Sequence, residues 1–175
     1  MKSVYLLFLQ RLDLALGKLC TFIAGFGGIL LLSIALMTLS SVLGRALFSN
    51  PIQGDVELVQ LACAVSIASF LPYTQFHKAN IIVDFFTMQC SEKSKSWLDG
   101  FSALVVFFSM SLIAWRLLIG CIVIKENGET SMLIAIPLWM AYLLMLPGFF
   151  LTSIVALTQA CQYFHIASIR EESSE

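Results

Sequence analysis

Four long apolar runs, separated by short clusters of charge, proline and glycine, set the pattern of the chain. The first, Leu19 to Leu43, contains no charged residue. At about 1.5 Å per residue it is long enough to cross a hydrocarbon core of roughly 30 Å. The second runs from Val56 to Tyr73, the third from Phe101 to Ile124 and the fourth from Pro137 to Tyr163. Each predicts a membrane-spanning helix, because a backbone in lipid must satisfy its own hydrogen bonds. The expected fold is an all-α membrane protein of one domain, residues 1–175. It has four transmembrane helices (19–43, 56–73, 101–124, 137–163), an N-terminal amphipathic helix (1–18) and a short interfacial segment (80–88) between spans two and three.

The connections refine this outline. Tyr5, Phe8, Leu9, Leu12, Leu16 and Leu19 recur at helical spacing while Arg11 and Lys18 share the other side, which predicts a helix lying on the membrane surface. A cleaved signal peptide is the competing reading. Against it, Arg11, Asp13 and Lys18 interrupt the first apolar run, the next run is too long for a signal core, and no clear small-residue cleavage site follows. Ala24 and Gly28 form a small-xxx-small pair that would let another helix approach closely. Arg45 closes the first span, and Asn50-Pro51 with Gly54 favours a turn. Asp55 and Glu57 then occupy the first turn of the second helix, where unsatisfied N–H groups favour carboxylates. Pro72 marks the expected end of that span. From Asn80, the residues Ile81, Ile82, Val83, Phe85 and Phe86 surround Asp84 in a pattern suited to the headgroup region, with an ordinary surface loop as the alternative. Trp97, after Lys93 and Lys95, has the character of an interfacial anchor. Pro137 suits a first helical turn, whereas Pro147-Gly148 predicts a kink inside the fourth span. Residues 164–175 form a tail, its polar end from Arg170 expected to be disordered.

Composition agrees with a bilayer. The 175 residues are 59% hydrophobic and 12% charged, with a mean hydropathy of +0.90, where a soluble domain carries about 25% charged residues. A net charge of −1 with no basic patch gives no reason to expect nucleic acid as a partner. Cys20, Cys63, Cys90, Cys121 and Cys161 lack CxxC spacing and read as small buried hydrophobes. Counting Lys and Arg by side puts Lys2, Arg11, Lys18, Lys78, Lys93, Lys95 and Arg170 together, against Arg45 and Lys125 at the opposite turns. Both termini are therefore expected in the cytoplasm, and the turns Phe48 to Asp55 and Lys125 to Ser131 outside.

Catalytic chemistry is not indicated. His77 and His165 lie outside the spans, so paired haem ligands are lacking, and no protease-like Ser/His arrangement, phosphate loop or metal cluster is evident. No cofactor is expected, and no enzyme. An autonomous transporter exposes ionisable or unwound elements at midplane, and the middles of spans one, two and four carry no charge. Arg116, roughly 12 Å inside the end of span three at Ile124, is the exception. Its possible partners are Glu57, Asp55, Glu126 and Glu129. An Arg116–Glu57 pair and a snorkelling guanidinium are the two readings.

Three stretches carry a family resemblance: LGRALFSNPIQGDVELVQ, NIIVDFF after span two, and GETSMLIAIPLWMAYLLMLPGFFL. In that order and spacing they resemble the small membrane subunit of tripartite ATP-independent periplasmic (TRAP) transporters, across nearly all of the chain. The chain departs from the family where Asn80 stands at a position often held by histidine, and where Phe76 and His77 replace basic residues. The resemblance implies a non-catalytic subunit bound to a large elevator-type membrane subunit that carries the substrate and sodium sites. An extracytoplasmic solute-binding protein would deliver an organic acid. Arg45, Asp55, Glu57, Glu126 and Glu129 would then serve outer-face structure or docking, and the N-terminal helix with Asn80 to Phe86 membrane anchoring. A four-helix anchor for another complex and a small self-contained exporter are the rival readings.

Overall fold

The computed structural model describes residues 2–48, 53–77 and 92–172, with side chains described for 11–47, 53–77 and 96–164. Four helices follow one another: α1 (Lys2–Phe48), α2 (Asp55–Phe76), α3 (Glu92–Asn127) and α4 (Trp139–Glu172). All four are long and apolar enough to cross a membrane. The protein is an all-α membrane protein with four spans.

Neighbours in sequence are not all neighbours in space. α1 packs along α2, α2 lies between α1 and α4, and α3 packs along the other side of α4. The order α1–α2–α4–α3 is an open layer whose edges are α1 and α3, because these two make no extensive contact that would close a bundle.

The packing of the edge helices follows a seven-residue repeat. On α1, Cys20, Gly27, Ile34 and Ser41 are buried, and Leu16, Ile23, Leu30 and Met37 between them are half-buried. On α3, Gly100, Ala103, Ala114 and Cys121 are buried with Phe107, Met110 and Leu117 between. A strict repeat of seven keeps one narrow seam facing a neighbour, as in left-handed coiled coils. The remaining apolar side chains, Phe22, Ile29 and Leu36 on α1 and Phe108, Leu112 and Trp115 on α3 among them, stay exposed.

At mid-height the layer is closest, and glycine permits it. A Cβ on Gly27 would lie 2.7 Å from the Ser69 Cβ of α2, and one on Gly148 of α4 would collide with the Ala68 carbonyl on the opposite side of α2. Pro72 has no N–H to return to the carbonyl four residues earlier, and that carbonyl is Ala68. The proline thus frees the group against which Gly148 sits, and a Cα–H···O contact is the natural occupant.

Several expectations change. Within the layer the close-packing glycine on α1 is Gly27, beside the expected Ala24–Gly28 pair: the repeat of seven turns Gly28 away, and nothing lies within 4 Å of a Cβ there. Pro72 does not end the second span, since α2 continues to Phe76 and holds the proline buried inside it. The segment expected on the membrane surface and the first span share one unbroken helix. α4 runs through Pro147 and on to Glu172, into the tail expected to lack structure. The 80–88 segment, with Asn80, Asp84, Phe85 and Phe86, falls outside the described residues.

Candidate functional site

The two turns that the sequence places on one side meet in space, and the Glu57 carboxylate at the start of α2 joins them. Gly54, at φ +75°, lies against Ile134 of the α3–α4 connection so tightly that any side chain there would collide with it. Both the backbone angle and the contact require glycine. α2 begins immediately after it, with Leu58 N–H donating to the Gly54 carbonyl at 3.1 Å.

Asp55 ties α2 back to α1. Its Oδ2 accepts the Ser41 hydroxyl at 2.6 Å and lies 3.8 Å from the exposed Arg45 guanidinium, while Oδ1 accepts the Val56 N–H at 2.8 Å. The hydroxyl is the stronger tie, because an exposed ion pair at that separation contributes little. Ser41 closes the seven-residue seam of α1.

Glu57 ties α2 forward to the α3–α4 connection. α3 ends with Gly128 in the left-handed conformation at φ +65°, and the Glu129 N–H donates back to the Ile124 carbonyl at 3.2 Å. The chain then doubles back: Ser131 N–H donates to the Ile136 carbonyl at 2.9 Å, and Leu138 N–H to the Glu129 carbonyl at 3.2 Å. At the tip, the N–H groups of Met132, Leu133 and Ile134 all point at the Glu57 carboxylate, at 3.0, 3.0 and 3.3 Å. Successive backbone N–H groups form a nest for an anion, and Glu57 fills it. The Met132 and Leu133 side chains project outward, 98% and 72% exposed. Nearby, Lys125 Nζ stands 5.3 Å from the centre of the Trp139 ring, a cation–aromatic pair suited to an interface.

The Arg116–Glu57 pair does not form. Glu57 spends both oxygens on the tip, and Arg116 lies exposed on α3 with no ion pair among the described residues. Glu129 accepts from Asn127 at 3.1 Å, Glu126 is exposed, and the Trp97 ring packs edge-on against Phe164 at 5.4 Å.

The opposite end of the layer holds a polar cluster that sequence reasoning missed. Gln75 donates to Gln159 Oε1 at 2.8 Å, and Gln159 donates to the carbonyls of Gln75 at 2.8 Å and Phe76 at 3.3 Å. Gln159 thereby satisfies carbonyls left open at the end of α2. Gln162, one turn further on, donates to both oxygens of Asp13 on α1, at 3.1 and 2.9 Å. The available signal was the rarity of amide side chains within apolar runs, where they hydrogen-bond between helices.

Among the described residues, no three His, Cys, Asp or Glu side chains converge, and Cys20, Cys63, Cys121 and Cys161 are free thiols. The arrangement does structural chemistry: it locks helices together at both ends. A family model described as "Tripartite ATP-independent periplasmic transporters, DctQ component" matches residues 34–165, more than half of the chain. Comparison with curated proteins and with solved structures gives no match.

Proposed function

The chain belongs to the DctQ component family of tripartite ATP-independent periplasmic transporters, and we propose that it braces the scaffold of the large elevator-type subunit and helps an extracytoplasmic solute-binding protein dock. It is the small membrane subunit of such a transporter, a multi-pass protein of the inner membrane. Its family works with a large membrane subunit and a solute-binding protein. Sodium-coupled uptake of an organic acid, with the sodium and substrate sites in the large subunit, completes the proposal.

One observation supports the bracing role above others. The helices are pinned to one another at both ends, by Asp55 and Glu57 and by the glutamine cluster, while the apolar outer surfaces of α1 and α3 stay uncovered. No Asp, Glu, Lys, Arg or His occurs between Glu57 and Phe76 or between Trp139 and Phe164. A pinned layer whose two central helices carry no charge along those stretches suits an immobile support. The distribution of Lys and Arg favours cytoplasmic termini, which turns Glu57, Glu129 and the Met132–Leu133 tip outward, toward an arriving binding protein.

Purification of the tagged chain from its native membrane tests this reading. A large membrane protein of about a dozen spans is expected to accompany it. Uptake of an organic acid into proteoliposomes should need both membrane proteins, the binding protein and a sodium gradient. Transport by the small chain alone, or a redox enzyme as its stable partner, would refute the assignment.

A further inference from the structure

Arg116 is a cation on an apolar helix with no ion pair to any described residue of its own chain. It stands about 16 Å short of the α3 end at Asn127. That end approaches the interface marked by the Lys125–Trp139 pair. Snorkelling toward it works against the helix itself, because each Cα–Cβ bond tilts toward the N-terminus, which here leads deeper into the membrane. The N-terminal end of the span at Ser96 is farther still, about 30 Å away. A guanidinium held at this depth calls for a counter-charge at its own level.

The surroundings of Arg116 point to what supplies it. Ser109 and Ser102 precede it at intervals of seven, so the three share one stripe of α3, flanked by the exposed Leu112 and Ile119 and turned away from the α4 seam. Several hydroxyls elsewhere in the spans, those of Thr21, Ser33, Thr38 and Ser40, return to the carbonyl one turn earlier. Ser102, Ser109 and Arg116 have no such bond to any described residue. Small hydroxyl residues leave room for a second backbone and offer it hydrogen bonds. Lipid tails would use neither the hydroxyls nor the charge.

We propose that the Ser102–Ser109–Arg116 stripe of α3 receives a transmembrane helix of the large subunit, and that this helix carries an Asp or Glu facing Arg116. The proposal rests on the transporter assignment above and deepens it by naming the surface and the chemistry of the contact. α3 is an edge of the open layer, so a partner helix continues the row without disturbing the helices already packed.

The test uses the intact complex. Arg116→Leu, which removes the charge and suits lipid, should elute as a monodisperse protein yet retain about tenfold less large subunit, equivalent to about 1.4 kcal/mol. Arg116→Glu should lose the partner as well, and regain it when an acid in one large-subunit span is changed to Lys. A photo-crosslinking amino acid at Ser109, with Arg116 intact, should capture the large subunit. This last arm decides the matter even where an Arg116 variant folds poorly. Capture of lipid alone at Ser109, or wild-type retention by Arg116→Leu, overturns the proposal. A wild-type chain that retains the large subunit in those same preparations leaves the transporter assignment standing, whereas one that retains none refutes both.

Discussion

Replacing Gly148 by alanine adds one methyl group at the tightest crossing in the layer. That methyl would collide with the Ala68 carbonyl oxygen and lie 2.7 Å from its carbon, where ordinary contacts begin near 3.4 Å. The obstacle is backbone, so no side chain can rotate aside, and α2 and α4 must part by roughly an ångström, at an overpacking cost of about 1–3 kcal/mol. Gly28→Ala is the matched control, because a Cβ there meets nothing within 4 Å. Both changes share the helix-propensity gain of about 1 kcal/mol, which cancels in the difference. Gly148→Ala should therefore be less stable than Gly28→Ala by about 2 kcal/mol, a shift of up to about 30-fold in the folded-to-unfolded ratio. Reversible unfolding of the two purified variants in mixed micelles, followed by circular dichroism, measures it. Equal stability would refute the argument that glycine is needed for the approach of α4 to α2.

Glu57→Gln keeps the shape of the acceptor but removes its charge, and Glu57→Ala removes the acceptor. Amide exchange at Met132, Leu133 and Ile134 should rise in that order, and unchanged protection in the alanine variant would count against the anchoring role. Gln159→Leu strands the Gln75 amide and the α2 carbonyls, which should destabilise the chain by about 1–2 kcal/mol; adding Gln75→Leu should recover part of the loss, because a buried polar group without its partner costs more than a pair removed together. Thermal unfolding in detergent reads both. For topology, single cysteines near Ser3 and Ser174 should resist a membrane-impermeant thiol reagent applied to spheroplasts, while one at Glu129 reacts, all in a cysteine-free background. The opposite pattern would invert the proposed orientation.

The spans were legible because lipid imposes a simple rule on sequence: long uncharged runs, broken by turns. The turn chemistry was also legible in part, since Gly54, Asp55 and Glu57 stand where a helix start needs a left-handed residue and carboxylates. What Glu57 binds was not. Arg116, in the same leaflet half, made Glu57 one of its possible partners, whereas the structure gives Glu57 the backbone N–H groups of a connection 75 residues away. Backbone donors are present at every residue and leave no mark in a sequence until a tip is folded to aim them. The close-packing position on α1 was hidden for a related reason. Gly25, Gly27 and Gly28 are close in sequence, and only the seven-residue phase of the α1 seam, set by its neighbour α2, decides that Gly27 is the one inside.

The two ends of the layer are held by different chemistry, and the difference bears on function. At the turn-bearing end the ties are carboxylates on a hydroxyl and on backbone N–H groups, exposed enough for a partner to reach the connection they shape. At the other end the central Gln75–Gln159 tie is neutral and buried, where an unsatisfied charge would be costly, and a carboxylate enters only through the half-buried Asp13 of α1, which holds Gln162. With Gly27 and Gly148 packing the middle, α2 is fixed to α1 and α4 at three levels along its length. A helix fixed at three levels cannot rock or slide against its neighbours without breaking several contacts at once. On the proposed bracing role, movement in the assembled transporter then takes place within the large subunit while this layer stays fixed.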